Sequence, residues 1–340
     1  MKKDCLKTRT PGKLILSGEH AVVYGHPAIA VAINRYTQAT VRWMMLSLHF
    51  SFHFMDLNFR REVTLQKLRK FKRKVKNQYQ GYCLGNLSIR EVLKKPFELS
   101  LFTFINVLDL LESKLPMGIN IITGSNIPIG CGIGSSAASI VSLIYALTHF
   151  LDINLNLEDY LTLGMESENL QHGRSSGLDV HTVYHGGCLR YEKGQFKKRP
   201  IPDFPMQLVQ TGQPQSSTGE CISKASSYFK KSHIGKDFSE LTNELDQALQ
   251  NRNIENVKSC IQQNHRLLKI IGVVPDKIDC FIVNVEKLGG AAKICGAGSV
   301  QGDKGGAVLV ISDNPINNLA KQYGYSIIPI QIDNQGTRIV

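Results

Sequence analysis

Pro128-Ile-Gly-Cys-Gly-Ile-Gly-Ser-Ser-Ala-Ala138 sets glycines at 130, 132 and 134, follows them with two hydroxyl residues and runs straight into an apolar segment. Glycines at alternate positions mark a backbone approached so closely that side chains are excluded. The two serines with a helix former behind them predict an anion held on the amides of a helix N-terminus. The spacing is not the GxxxxGK[ST] of a P-loop. Nor is it a GxGxxG followed about 20 residues later by an acidic residue, so a dinucleotide fold is a poor match. Read in isolation, the stretch has a glycine-rich turn with no ligand as its alternative.

Working outward, residues 119–123 read as a short strand delivering the chain into this turn, and residues 137–147 as a helix apolar nearly all round and therefore buried. A second helix is predicted from about Leu157, with its apolar stripe through Tyr160, Leu161 and Gly164. Seven residues beyond Leu161 that stripe meets Glu168, and a carboxylate on an inward face is costly unless a cation pairs with it. The alternative is a helix-end carboxylate that escapes to water. Glu166 falls off the stripe and is expected in solvent. Residues 172–179, His-Gly-Arg-Ser-Ser-Gly-Leu-Asp, read as a loop of small residues around one aspartate, followed by a strand at 188–191. His181 and His185 stand at i, i+4, but no HExxH glutamate lies between them, so they are assigned structural roles.

Before the glycine turn, residues 13–27 read as a strand and a turn, with another strand from Ala28 to Asn34. From Leu46 to Phe54 apolar and polar residues alternate strictly, which predicts one half-buried strand with His49 and His53 on its outer face. Three prolines within residues 200–205 mark a domain boundary. Beyond it, Phe238, Leu241, Leu245 and Leu249 mark one helix and Ile254, Val257, Ile261 and Leu268 another. A third ends at Gly289-Gly290, and strands at 291–295 and 307–312 flank a second glycine-rich turn.

A length of 340 residues and 42% hydrophobic content suit a two-domain globular protein. Lys2 and Lys3 are followed by Asp4 and Arg9, so no secretory leader is predicted. The apolar run at 101–111 is too short to span a bilayer. The eight cysteines are scattered, without CxxC pairs or metal-ligand spacing, which predicts reduced thiols in a cytoplasmic protein with neither disulfides nor a structural zinc. The net charge of +12 is uneven: residues 60–76 hold nine Lys or Arg and one Glu, a local +8. Leu65, Leu68, Phe71 and Val75 recur there at helical spacing, so the segment is read as a helix whose basic face meets water. Its functional alternative is an acidic partner or phosphorylated ligand. A nucleic-acid binder would rest on this segment alone, which lacks interleaved aromatics apart from Phe71.

Taken in order, three glycine-bearing segments resemble the GHMP small-molecule kinases: PGKLILSGEHAVVYG at 11–25, PIGCGIGSSAA at 128–138, and KICGAG at 293–298. Glu168, His172-Gly173 and Ser176-Gly-Leu-Asp179 resemble the family's magnesium and catalytic segments, and Gln263 to Leu268 the helix before the third motif. The likeness runs over nearly the whole chain, residues 56–98 matching least. It implies an α+β, two-domain fold, with a ribosomal-protein-S5-like domain at 1–199 and a ferredoxin-like domain at 200–340. It also implies ATP and Mg²⁺ as cofactors, and mevalonate as acceptor, phosphorylated on its 5-hydroxyl for isoprenoid precursors. Phosphomevalonate or another acceptor of the family is the alternative, and a catalytically silent sensor is disfavoured by the presence of Lys13, Glu168 and Asp179.

By the same resemblance Lys13 lies beside the acceptor hydroxyl and Asp179 accepts or orients its proton. Pro128, Gly130, Gly132, Gly134, Ser135, Ser136 and Ala137 belong to the ATP loop, and Ser136 with Glu168 holds Mg²⁺. Glu19, His20, Ser176, Gly296 and Ala297 face the substrate. The expected partners are a small molecule and a second copy in a homodimer, with no nucleic acid and no membrane. Ser175 stands where the family pattern usually has proline, Val180 where asparagine is common, and residues 299–304 are interposed in the third motif.

Overall fold

The computed structural model describes residues 4–45, 47–111 and 115–340. The first domain is built on two long antiparallel strands, β1 (Cys5–Ser17) and β2 (Ala28–Met44), paired from Cys5 opposite Arg42 to Ser17 opposite Ile29. Register shifts at Pro11/Gly12 and Ile15/Ser17 bracket Lys13, so the strand is irregular on both sides of that residue. Strands β3 (Phe50–Phe54), β4 (Phe59–Val63) and β5 (Gly118–Ser125) extend the sheet on one side, β3 running parallel to β5. Helices α1 (Leu65–Cys83), α2 (Phe97–Leu108), α3 (Ser135–Phe150) and α4 (Leu157–His172) pack on these strands and on one another. Then follow a short helix α5 (Leu178–His185) and the hairpin β6 (Cys188–Glu192) and β7 (Gln195–Arg199), which joins the sheet through β2. The aromatic core of this domain sets Phe52 edge-on to Phe104, centroids 4.9 Å apart.

The second domain carries β8 (Met206–Gly212), helices α6 (Thr218–Lys231), α7 (Ile234–Gln250), α8 (Ile254–Ile270) and α9 (Asp276–Lys287), strands β9 (Ala291–Ile294) and β10 (Gly306–Ile311), helix α10 (Asn317–Tyr323) and β11 (Ser326–Pro329). Its antiparallel sheet runs β11-β8-β10-β9, the ferredoxin-like order expected. The last strand, β12 (Arg338–Ile339), returns to pair with β1. One apolar cluster is shared by the two sheets: Leu14, Leu16, Val31 and Ile33 pack with Leu208, Leu241, Leu245, Ile261 and Leu309. The junction is therefore core rather than a hinge over water. Among the described residues no helix is long and apolar enough to cross a membrane.

Three local expectations are corrected. The alternating stretch is a strand only from Phe50; Leu48 is 73% exposed, His49 precedes the strand, and Leu46 lies outside the described residues, as do Lys2 and Lys3. The basic segment is not one helix, since β4 takes residues 59–63 and α1 begins at Leu65, capped by the Thr64 hydroxyl. Along α1, Leu68 and Val75 are buried and Lys70 and Lys74 between them face solvent, as the spacing predicts, while Lys72 is half-buried against Asp109. Of residues 172–179 only Gly173 to Gly177 form a loop: His172 ends α4, and Asp179 sits in the first turn of α5, which eight residues between two positive-φ glycines made hard to detect.

Candidate active site

Between the two domains lies a cleft of about 510 Å³. Its floor comes from β1, whose Lys13 backbone N–H donates to the Ile133 carbonyl at 3.0 Å and so ties the strand to the glycine turn. The Lys13 ammonium is 3% exposed and lies 2.9 Å from the Asp179 carboxylate, which keeps 30% of its surface open to the cleft. Glu168 is 2% exposed on the inward face of α4, where the helical stripe puts it. Burial first, and then the Asp179 carboxylate, push Glu168 up to about 8, against the opposing pull of the Ser175 hydroxyl and Lys13. Ser175, at the position the family pattern gives to proline, donates its hydroxyl to Glu168 Oε2 at 2.6 Å and accepts the Gly177 N–H at 3.1 Å.

Helix α3 starts at Ser135 with no side-chain cap on its first turn, so the N–H groups of that turn stay available to an anion, reinforced by the helix dipole. The glycines before it answer to protein atoms as well as to any ligand. A Cβ at Gly132 would lie 2.5 Å from the Cys295 carbonyl oxygen, and one at Gly134 2.7 Å from Lys13 Cγ, both at positive φ. The second and third glycine segments thus touch backbone to backbone, and the anion is not the sole reason side chains are excluded there.

Of the residues singled out from sequence, Lys13, Glu19, His20, Gly130, Gly132, Gly134, Ser135, Ser136, Glu168, Ser176, Asp179, Gly296 and Ala297 line this one cleft. Pro128 does not, and the Ala137 side chain is packed in the core with Val141, Leu161 and Val180. Ser136 donates its hydroxyl to Gln171 Oε1 at 3.1 Å. His20 has φ 61° and ψ −48°, a conformation that costs a non-glycine residue about 1–3 kcal/mol and is held here by tertiary contacts. Its Nε2–H donates to the Ala297 carbonyl at 3.1 Å, which leaves Nδ1 a buried acceptor with no partner among the described residues. Burial pulls His20 down to about 4, so the ring is neutral at physiological pH.

The sequence reading missed the opposite wall: Asp56, Leu57, Leu93, Lys94, Lys95, Pro96, Leu99 and Ser100, with Thr218 and Ile222 of α6. These come from separate turns in the least-matched stretch, from the start of α2 at its end and from the second domain, without a motif to announce them. It also left Lys293, quoted within the third motif, without a role; that side chain is fully buried against Glu19. The half-buried His172, beside Asp179 and Lys13, is likewise a cleft residue, pulled down to about 4 chiefly by desolvation.

A GHMP kinase N-terminal domain model matches residues 103–187, the span holding the glycine turn, Glu168 and Asp179. The mevalonate kinase of Thermococcus sibiricus is 28% identical over 97% of this chain and 96% of its own length, and that of Pyrococcus furiosus 28% identical over 91% and 90%. The solved Methanococcus jannaschii mevalonate kinase superposes with a TM-score of 0.79 at 25% identity, covering 98% of this chain and all of its own. In sequence and in fold the chain is like the GHMP kinases. It has the two-sheet α+β fold of their solved structures, and the match to the family model implies the use of ATP.

Proposed function

We propose that this protein transfers the γ-phosphoryl group of ATP to the 5-hydroxyl of mevalonate, giving 5-phosphomevalonate. The observation that carries the reading is the Lys13–Asp179 pair at 2.9 Å, set in a cleft beside an uncapped helix N-terminus, in a chain similar to mevalonate kinases over nearly its full length. Phosphoryl transfer asks for positioning and charge neutralisation more than for covalent chemistry, and these groups supply both. The amides of Gly132 to Ser136 cradle the phosphates, and the apolar wall of Leu57, Leu93 and Leu99 receives the base. Asp179 accepts or orients the proton of the acceptor hydroxyl. The neighbouring Lys13 neutralises charge as that oxygen bonds to phosphorus. Glu19, His20, Ser176, Gly296 and Ala297 face the acceptor.

The residues present fit Mg²⁺. A buried carboxyl pushed up to about 8 has a cation to gain, and Glu168 with the Ser136 hydroxyl offers oxygen ligands. Mg²⁺ is commonly held by one or two protein oxygens together with substrate phosphates, a number that Glu168 and Ser136 can supply. Bound with nucleotide, Mg²⁺ supplies neutralisation of the phosphate oxygens.

Arg174 lines the cleft, and it favours phosphomevalonate as the second reading, since a phosphorylated acceptor needs added cations. Coupled ADP release measured with mevalonate, phosphomevalonate, galactose and homoserine decides between them. Mevalonate is expected to exceed phosphomevalonate by at least about tenfold in kcat/KM, roughly 1.4 kcal/mol of transition-state stabilisation. The reverse preference would move the assignment to phosphomevalonate, and silence with all four would remove both.

A further inference from the structure

Lys293 precedes the third glycine segment on β9 and is 0% exposed, a burial that lysine tolerates only with partners. Its partners lie across the domain junction. The ammonium contacts Glu19 Oε1 and donates to the Ile15 carbonyl at 2.9 Å, on the strand that carries Lys13 two residues earlier. Glu19 is itself 1% exposed, lines the cleft, and keeps Oε2 buried without a partner among the described residues. Next to it His20 donates to the Ala297 carbonyl, so two consecutive side chains of one turn, Glu19 on Lys293 and His20 on Ala297, hold both ends of the third glycine segment. That is the segment whose Cys295 carbonyl and Gly296 abut Gly132. Lys293 does not line the cleft.

We infer that Lys293 is a positioning residue for the acceptor: by holding Oε1 of Glu19 it fixes that carboxylate in the cleft wall with Oε2 left unpaired, a fixed acceptor for a hydroxyl of the bound substrate. Without that contact the carboxylate would be free to rotate. The ammonium, anchored to the Ile15 carbonyl, sets one orientation. The buried pair therefore serves orientation more than net stability, because replacing such a pair with apolar groups is often neutral or better for folding. The inference rests on the reading that the acceptor lies beside Glu19.

The test compares Lys293→Met, Lys293→Arg and the double variant Glu19→Gln/Lys293→Met in the full chain, measuring kcat, KM for mevalonate, ADP affinity by calorimetry and Tm. Lys293→Met should raise KM for mevalonate at least about tenfold and leave the ADP Kd within about threefold, with Lys293→Arg recovering a good part of the loss. Lys293→Met also strands the Glu19 charge and can unfold the protein for that reason alone. The double variant removes both charges and should fold with a Tm near the parent's while keeping the raised KM. Recovery of KM together with Tm in the double variant, an equal loss toward ADP and mevalonate, or an arginine variant no better than methionine would each reduce the pair to a structural tie and overturn the inference. Should the parent protein not turn over mevalonate, the same series run with its best acceptor still decides the role of Lys293.

Discussion

Lys13 and Lys293 beneath the cleft, and the lysines of helix α1 on the outer face of the same protein, carry the same charge in opposite circumstances. The first two are essentially out of water, each in contact with one carboxylate, and they sit at the meeting point of two glycine segments. Along α1, Lys67, Lys70, Lys74 and Lys76 stand in solvent, and Lys72 and Arg69 reach Asp109 at the surface. Desolvation separates the two regions. A buried charge persists only where partners and position are fixed, and that fixity is what phosphoryl transfer uses. An exposed one is screened within about a Debye length and is free to be replaced. Most of the net charge is therefore in the region that matters least to the chemistry.

The sharpest way to break this contrast is to neutralise a cleft charge without changing its shape. Asp179→Asn should lower kcat/KM for mevalonate by about 10²–10⁴, the usual contribution of a positioned acid or base, while calorimetry finds nucleotide affinity within about threefold of the parent. An asparagine variant with full turnover would discard the assigned role of the carboxylate and, with it, the chemical meaning of its pairing with Lys13.

Gly132→Ala probes the backbone contact behind those charges. The new methyl would lie 2.5 Å from the Cys295 carbonyl oxygen at a φ of 76°, a collision with backbone that no side-chain rotation relieves. A loss of about 1–3 kcal/mol is expected, read as a lowered Tm together with weaker ADP binding. A stable variant defective only in ADP binding would mean that the ligand alone demanded the glycine.

Much of this was legible in the chain. The glycine segments and the apolar stripes of α7 and α8 follow from spacing, because local geometry and periodicity are properties of neighbours in sequence; spacing set Glu168 on the stripe of α4 but left open whether it turned inward or to water. What escaped are relations between distant residues. Glu19 and Lys293 are separated by 274 positions, and nothing in either neighbourhood announces that they meet. The far wall of the cleft joins Asp56 to Ser100 and Ile222 by folding alone. Helix α5 was missed because its His-Thr-Val-Tyr-His run is poor in helix formers and tertiary packing of Leu178, Val180 and Val183 decides its form.

A smaller and slower contrast lies in the histidines. His181 and His185 stack with ring centroids 5.9 Å apart, and burial pulls each down to about 4, helped by their mutual repulsion at His181 and by Lys198 at His185. A histidine whose folded pKa lies below its unfolded value favours the fold only while neutral. The stability it contributes is complete above about pH 6.5 and is lost as pH falls toward about 4. Thermal melts of the parent should therefore weaken across that window, and a His181→Gln/His185→Gln variant should weaken less steeply. Equal slopes would show that these rings do not carry the acid sensitivity.

The smallest effect belongs to α1. Lys67, Lys70 and Lys74 lie three and four residues apart on one exposed face, where like charges repel by a few tenths of a kcal/mol per pair. Converting all three to glutamine removes that repulsion and touches no buried contact, so Tm should hold or rise slightly and kcat/KM for mevalonate should stay within about twofold at moderate salt. The same helix does reach the active-site loop, but through its other end: the Tyr79 hydroxyl donates to the Gly173 carbonyl at 2.9 Å. Glutamines at 67, 70 and 74 leave that anchor in place, which makes the triple variant a clean measure of charge alone. A fall in kcat/KM of tenfold or more relative to the parent at low ionic strength, vanishing as salt is added, would reveal a field from α1 acting on the anionic substrates. In that case the distinction between working and solvated charge would have to be redrawn around the whole N-terminal domain.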